Sequence, residues 1–443
     1  MTVTPLPPPP VPATTPLDLS LVAGTLPLVI SVAGVLAAAF LLWPRGPRWW
    51  RPALLAVVVA AALPALAAFV LNDLWRPIPD QLPARLFVWS GVALAALLGG
   101  VLVLRRGGRA ARLLVVPAVL LVLATSGVKV NAIYGYYPTP RQLLGLPEAN
   151  ALDPARIPPR AGGAVTAARW VPPADLPAHG GVARMAIPGT VSRFPARPGV
   201  VYLPPAALVR GGPRLPVLVL VAGAPGGPAD WLTAGRLAAV LDEFAAAHRG
   251  LAPVVVVPDA TGGTFDNPLC MDSRRGAAET YLRRDVPDWI RRTFDVDPDP
   301  RSWTIGGFSY GGTCALQLAV RAPEVYPAFL DVGGQDQPSL GTREETVGAL
   351  FGGDDAAFRA ADPQELLRTR RYDGVSGTVV VGADEGGDVE RARRLAELAR
   401  TSGMDVRYLV LPGGHSWAVA TAALQLALPG VAARGGLVPG PPR

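Results

Sequence analysis

The stretch TIGGFSYGGTCALQLA, Thr304 to Ala319, sets Ser309 between Gly307 and Gly311, straight after the run RSWTI and straight before apolar residues at helical spacing. In a chain with 49 glycines a bare Gly-x-Ser-x-Gly match is weak. Its context makes it stronger. A tight turn from a strand into a helix lifts a serine Oγ above a sheet and aims backbone N–H groups and the helix N-terminus at the same spot. RSWTIGG supplies the strand, GGTCALQLAVRA the helix, and the flanking glycines let backbone approach where a Cβ would clash.

Outward from this element, the residues from Val165 onward read as short β-rich runs alternating with amphipathic helical stretches. Seven runs are expected as strands: GVVYLPPA, LPVLVLVAG, PVVVVPDA, SWTIGGFS, AFLDVGG, GTVVVGAD and DVRYLVLPGG. Helical patterns such as TAGRLAAVLDEFAAAH, AAETYLRRDVPDWIRRTF and VERARRLAELARTSG lie between several of them. Continuous apolar strands separated by helices indicate a mostly parallel sheet covered on both faces. The expected class is α/β, over residues 161–435.

A serine hydroxyl is a poor nucleophile unless a base removes its proton. The chain has 3 histidines. His179 falls in a Pro/Gly-rich connector and His248 near the end of an amphipathic helix, both consistent with solvated structural roles. His415 sits in LPGGHSW, directly after the last expected strand, and the chain order Ser, acid, His requires the base to come last. The acid is expected after the preceding strand, where TVVVGADEGGDVE offers Asp384, Glu385 and Asp388. Glu385 stands three residues past Gly382 and is favoured, with Asp384 the second candidate. Either carboxylate could hold the imidazole tautomer and stabilise the imidazolium. Two backbone donors are needed for an oxyanion hole. Tyr310, next after Ser309, is one; Ala224, beside Gly223 in the Gly-rich loop of VLVAGAPGGPADW, is the candidate for the other.

The first third of the chain differs in kind. Only 17% of the 443 residues are charged and half are hydrophobic, with a mean hydropathy of +0.32. Leu21 to Trp43, Ala53 to Leu71, Leu86 to Leu104 and Leu113 to Ile133 each approach the roughly 20 helical residues that span a bilayer core. No Lys or Arg precedes the first run, as a signal peptide would require. The net charge of +7 does not point to nucleic acid, because many basic residues cluster beside these segments. The loop PRGPRWWR carries Arg45, Arg48 and Arg51, and RRGGRAAR carries Arg105, Arg106, Arg109 and Arg112; both are expected to be cytoplasmic. The middle loop is mixed, with Asp73 and Asp80 against Arg76 and Arg85. Four spans then put both termini outside the cytoplasm. Residues 1–17 read as a disordered Pro-rich tail, 18–133 as the spans and 134–160 as an extracytoplasmic connector.

With GGFSYGG, CALQLAVRAPEVYPAFLDVGG, the ETYLRRDVPDWI helix and the terminal GGHSW in this order, residues 195–430 resemble the esterase D family of α/β-hydrolases. That family includes S-formylglutathione hydrolases, enterochelin esterases and mycolyltransferases. The resemblance implies an α/β-hydrolase fold for these residues, which follow the four-helix transmembrane bundle expected from the apolar runs. It also implies a triad of Ser309, His415 and Glu385 or Asp384, and Ala224 and Tyr310 as oxyanion donors. The substrate would be an ester or acyl-lipid, with no cofactor and no metal. Family mycolyltransferases generally lack such a bundle, so their acceptor and lipid specificity do not carry over. Cys270 and Cys314 lie in the region expected outside the cytoplasm, where a disulfide or two separate buried thiols both remain open. Two other function classes compete with a membrane-anchored serine esterase or acyltransferase. One is a catalytically idle binding domain, against which the intact serine, acid and histidine set argues. The other is a transport role for the bundle, whose spans lack the acidic or His residues that mark such pathways.

Overall fold

A computed structural model describes residues 15–75, 81–146, 150–160 and 165–439. Residues 1–14 of the expected tail lie outside them, as do Arg76 and Asp80 of the middle loop and the start of the α/β region at 161–164. The chain divides into two compact units, one formed by Pro10–Leu146 and the other including Pro147–Arg443.

The first unit contains four long helices: α1 (Thr25–Leu42), α2 (Trp50–Phe69), α3 (Ala84–Arg106) and α4 (Arg109–Tyr134). All four are long and apolar enough to cross a membrane. Helix α2 continues through a π-turn, Val70–Leu74, to a stop at which the Asn72 side chain bonds both backbone groups of Leu82. Small residues let the helices approach closely. Gly34 of α1 lies against Thr125 of α4, whose hydroxyl donates to the Ile30 carbonyl at 2.9 Å, and Gly91 of α3 faces the Ala60 carbonyl of α2. Leu41, Val103, Val115 and Val122 fill the seam, whereas Leu28, Val35, Leu55 and Leu113 point outward, each more than half exposed.

The second unit is built on an eight-stranded sheet. Its strands are β1 (Gly181–Met185), β2 (Gly199–Leu203), β3 (Val217–Val221), β4 (Val254–Val257), β5 (Trp303–Phe308), β6 (Ala328–Val332), β7 (Ser376–Gly382) and β8 (Asp405–Leu411). They are arranged in the order β1-β2-β4-β3-β5-β6-β7-β8. From β4 to β8 the neighbours are parallel, and β1 and β2 run antiparallel. The seven expected strands are therefore joined by an eighth, GVARM, whose run is interrupted by Arg184 and flanked by Gly and Pro. Its backbone pairs with β2 in register Ala183 to Val201.

Strands β2 to β6 are buried along their whole length, as continuous Val/Leu runs require. Helices α5 (Leu237–Ala247) and α12 (Trp417–Arg434) pack together on one face, and α7 (Tyr310–Arg321), α10 (Pro363–Thr369) and α11 (Gly387–Thr401) on the other; α6 (Val286–Thr293), the short α8 (Arg343–Phe351) and α9 (Asp355–Ala361), and single helical turns at Ala229–Thr233 and Ala278–Thr280 lie in the connections. The sheet is thus a mostly parallel one with helices on both faces, and the loops that leave the carboxyl ends of β3, β5, β6, β7 and β8 gather at one edge.

Candidate active site

Ser309 occupies the turn between β5 and α7 at φ 58° and ψ −121°, a backbone conformation that costs energy for a residue with a Cβ. Its N–H donates to the Val332 carbonyl at 2.8 Å, and its own carbonyl accepts the N–H groups of Gly312 and Thr313 at 2.9 and 3.1 Å. Both motif glycines are sterically required. A Cβ on Gly307 would overlap the Gly311 backbone, and one on Gly311 would overlap the Val221 carbonyl of β3. The turn is tight enough that each element touches the next.

The loop after β8 carries His415 to this turn. Its ring stacks on Phe308, the residue before Ser309, with centroids 4.7 Å apart, and Phe308 in turn packs on Trp417 at 4.9 Å. Gly333, at φ 60° after β6, lies directly behind the imidazole: a Cβ there would sit 3.0 Å from His415 Nδ1.

The loop after β7 folds back so that the Glu385 carboxylate faces both its own turn and the histidine. Glu385 Oε1 accepts the Gly382 N–H at 2.5 Å, and Oε2 lies 2.7 Å from His415 Nδ1. The Glu385 side chain is 4% exposed. Asp384 is exposed, and the tie found there is between its backbone N–H and the Gly413 carbonyl at 2.9 Å. His179 and His248 are elsewhere: His179 is a largely exposed neighbour of Asp242, and His248 stacks on Phe244.

Tyr310 heads α7 at its first position, where its N–H has no carbonyl four residues back within the helix. Its phenol is buried, donates to the Ala260 carbonyl at 3.0 Å and accepts the Cys270 N–H at 3.1 Å. Burial raises this phenol well above its ordinary range. The loop after β3 lies against the elbow, since a Cβ on Gly223 would be 3.5 Å from Ser309 Cβ, and the partly buried Ala224 follows it. Cys270 and Cys314 are joined by a disulfide that ties the loop 267–272 to α7.

One buried group escaped the reading of the sequence. Asp331, in β6 one residue before the carbonyl that receives the Ser309 N–H, is 1% exposed. Its Oδ1 accepts the Gly334 N–H at 2.9 Å, and Oδ2 has no hydrogen-bond partner among the described residues. Burial pushes this carboxyl up to about 7, helped by the nearby Glu385 charge. A carboxylate inside the apolar run AFLDVGG was the available signal. Among the described residues no group of three or more His, Cys, Asp and Glu is placed to hold a metal ion.

A family model described as "Putative esterase" matches residues 196–430. An uncharacterized protein of Corynebacterium glutamicum is 38% identical over 430 residues, which cover 94% of this chain and 98% of that protein. The match is too long to be confined to the α/β region and extends into the part of the chain that holds the four apolar helices. Among solved structures, a ferulic acid esterase aligns at a TM-score of 0.50 with 19% identity, over 59% of this chain and all of its own. An S-formylglutathione hydrolase from Agrobacterium tumefaciens aligns at 0.48 with 19% identity, over 59% of this chain and 97% of its own. The likeness to the ferulic acid esterase is one of fold: the second unit has the α/β-hydrolase architecture.

Proposed function

The chain belongs to the family described as "Putative esterase", and from that premise we propose that it is a membrane-anchored, extracytoplasmic serine esterase or acyltransferase that works through an acyl-enzyme on Ser309. The observation that carries the reading is the 2.7 Å approach of His415 Nδ1 to Glu385 Oε2, with the same imidazole stacked on the residue that precedes Ser309. A carboxylate on Nδ1 leaves Nε2 as the proton acceptor.

Ser309 Oγ attacks the ester carbonyl while His415 Nε2 takes the hydroxyl proton. The resulting oxyanion is met by the N–H groups of Tyr310 and Ala224, and the N-terminus of α7 adds its partial positive charge. Collapse breaks the ester C–O bond, and the alcohol leaves with the proton from His415. Water or an acceptor hydroxyl then gives its proton to His415 and attacks the acyl carbon, and the bond to Ser309 Oγ breaks as that oxygen takes the proton back from His415. Glu385 stabilises the imidazolium in both halves.

The four apolar helices support anchoring in a bilayer. Arginines at positions 45, 48 and 51 and at 105, 106, 109 and 112 flank α1–α2 and α3–α4, so the rule that basic loops stay inside puts the α/β unit on the outer side. A disulfide is compatible with that compartment. The direct test is labelling with a fluorophosphonate followed by peptide mapping. The probe is expected on Ser309 and to be lost in Ser309→Ala, together with hydrolysis of a short p-nitrophenyl ester. Unchanged hydrolysis in purified Ser309→Ala protein would make Ser309 a turn residue and end the proposal.

A further inference from the structure

Arg197 stands just before β2, more than 100 positions before Ser309, yet its guanidinium reaches two loops at the carboxyl edge of the sheet. Nε and Nη2 grip the Asp259 carboxylate at 2.9 and 2.8 Å, and the Arg197 N–H adds a third bond to it at 2.7 Å. Nη2 also donates to Thr261 Oγ1 at 2.9 Å and to the Gly226 carbonyl at 3.0 Å, and Nη1 donates to Thr264 Oγ1 at 3.0 Å. Asp259 follows β4 by two residues and is 1% exposed on its side chain.

Gly226 belongs to the loop after β3 that carries Ala224. Its N–H donates to the Thr264 carbonyl at 2.9 Å, so both of its backbone polar groups are held by this assembly. The next residue, Gly227, donates to Asp230 Oδ2 at 2.8 Å, and a Cβ there would lie 3.1 Å from Arg197 Nη2. Three residues before Ala224 the chain is fixed by β3, and two residues after it by the Arg197 cluster. Between these clamps the backbone at Ala224 is held from both sides.

We propose that Arg197 is a positioning residue for the oxyanion hole: locked onto Asp259, it fixes the Gly226 carbonyl and through it the direction of the Ala224 N–H. The inference rests on the reading of Ser309 as nucleophile and Ala224 as oxyanion donor. Burial by itself raises the Asp259 carboxyl, but the hydrogen bonds and charge of Arg197 outweigh it and leave Asp259 below its ordinary value. The clamp is therefore ionised at neutral pH. A lysine at 197 keeps the charge but offers a single ammonium, which cannot reach Asp259, Gly226, Thr261 and Thr264 together.

The consequence falls on the transition state, because an oxyanion donor acts where charge develops and hardly at all on the bound ester. In full-length protein, Arg197→Lys is expected to lower kcat for a short p-nitrophenyl ester by about 10-fold or more, with KM changed by less than about threefold. The pH at which the rate half-rises should stay where it is, since His415 and Glu385 are untouched. Thr264→Val, which removes only the outer acceptor of Nη1, serves if the lysine variant fails to fold, and should lower kcat severalfold with the same KM split. Wild type and Ser309→Ala are measured beside them. Ester turnover independent of Ser309 would overturn the catalytic reading and this inference with it. Ser309-dependent turnover with kcat unchanged in the folded variants, or a rise in KM alone, would overturn the role of Arg197 and leave the catalytic reading standing.

Discussion

Glu385 Oε2 lies 2.7 Å from His415 Nδ1, while the adjacent Asp384 is exposed. Two neighbouring carboxylates therefore have opposite surroundings, and only one of them can orient the imidazole. Glu385→Gln is expected to lower kcat by about 10³–10⁴ and Asp384→Asn by less than about twofold. Steady-state ester kinetics on the two variants check this, and the reverse ranking would move the acid to Asp384.

The Cys270–Cys314 bond closes a loop across 44 positions, and Cys270 and its neighbour Leu269 stand at φ 52° and 57°. The Gln317 amide donating to the Leu269 carbonyl and the Tyr310 hydroxyl accepting the Cys270 N–H hold the same loop, each at 3.1 Å. Replacing both cysteines with serine should remove about 2–4 kcal/mol of stability and lower the melting temperature by several degrees. Wild-type protein melted in strong reductant should move the same way. Identical melting of the double variant and the wild type would mean that the bond contributes nothing.

Asp331 gives a pH dependence of definite sign. Its folded carboxyl titrates near 7 because it is buried beside the Glu385 charge, whereas in the unfolded chain it ionises at an ordinary carboxylate pH. Between about pH 4 and 7 the unfolded state releases this proton and the folded state keeps it, so its contribution is full below that window and is lost as pH rises. The loss is on the order of a few kcal/mol. Asp331→Asn cannot titrate, so its melting temperature should gain on that of the wild type steadily from pH 4.5 to 7.5. A difference that stays constant over that range would show that Asp331 does not titrate there.

The proposed orientation in the membrane rests on the arginine loops. A reporter fused after Arg443 that is active only in the cytoplasm should be silent, and one active only outside should be bright. Cytoplasmic activity would invert the topology and place the disulfide in a reducing compartment.

How much of this was legible before folding depends on how far apart the interacting residues are. The elbow was legible because its strand, turn and helix are contiguous, and because Gly307 and Gly311 must approach within five residues of chain. The parallel core was legible in runs such as Val254–Val257, buried on both faces. The four long helices announced themselves by length and apolarity alone. Missed were the edge strand Gly181–Met185, whose backbone is recruited by β2, and the short helices at Asp355–Ala361 and Pro363–Thr369, whose capping aspartates Asp354 and Asp362 look like loop residues in isolation.

By itself the sequence determined the class of sheet, the position of Ser309 at a strand-to-helix turn, and the order in which serine, acid and histidine occur along the chain. Those features are local, set by which side chains can tolerate a turn and which must leave water. Only the tertiary structure decided which way the Gly382–Glu385 turn points its carboxylate, and that Cys270 meets Cys314. Only it buried Asp331 beneath the elbow and paired Arg197 with Asp259 across 62 positions. Each of these depends on strand order, β4 beside β3 and β3 beside β5, which brings remote loops to one edge. No local propensity encodes that order, because it is settled by how the whole apolar surface of the sheet is covered.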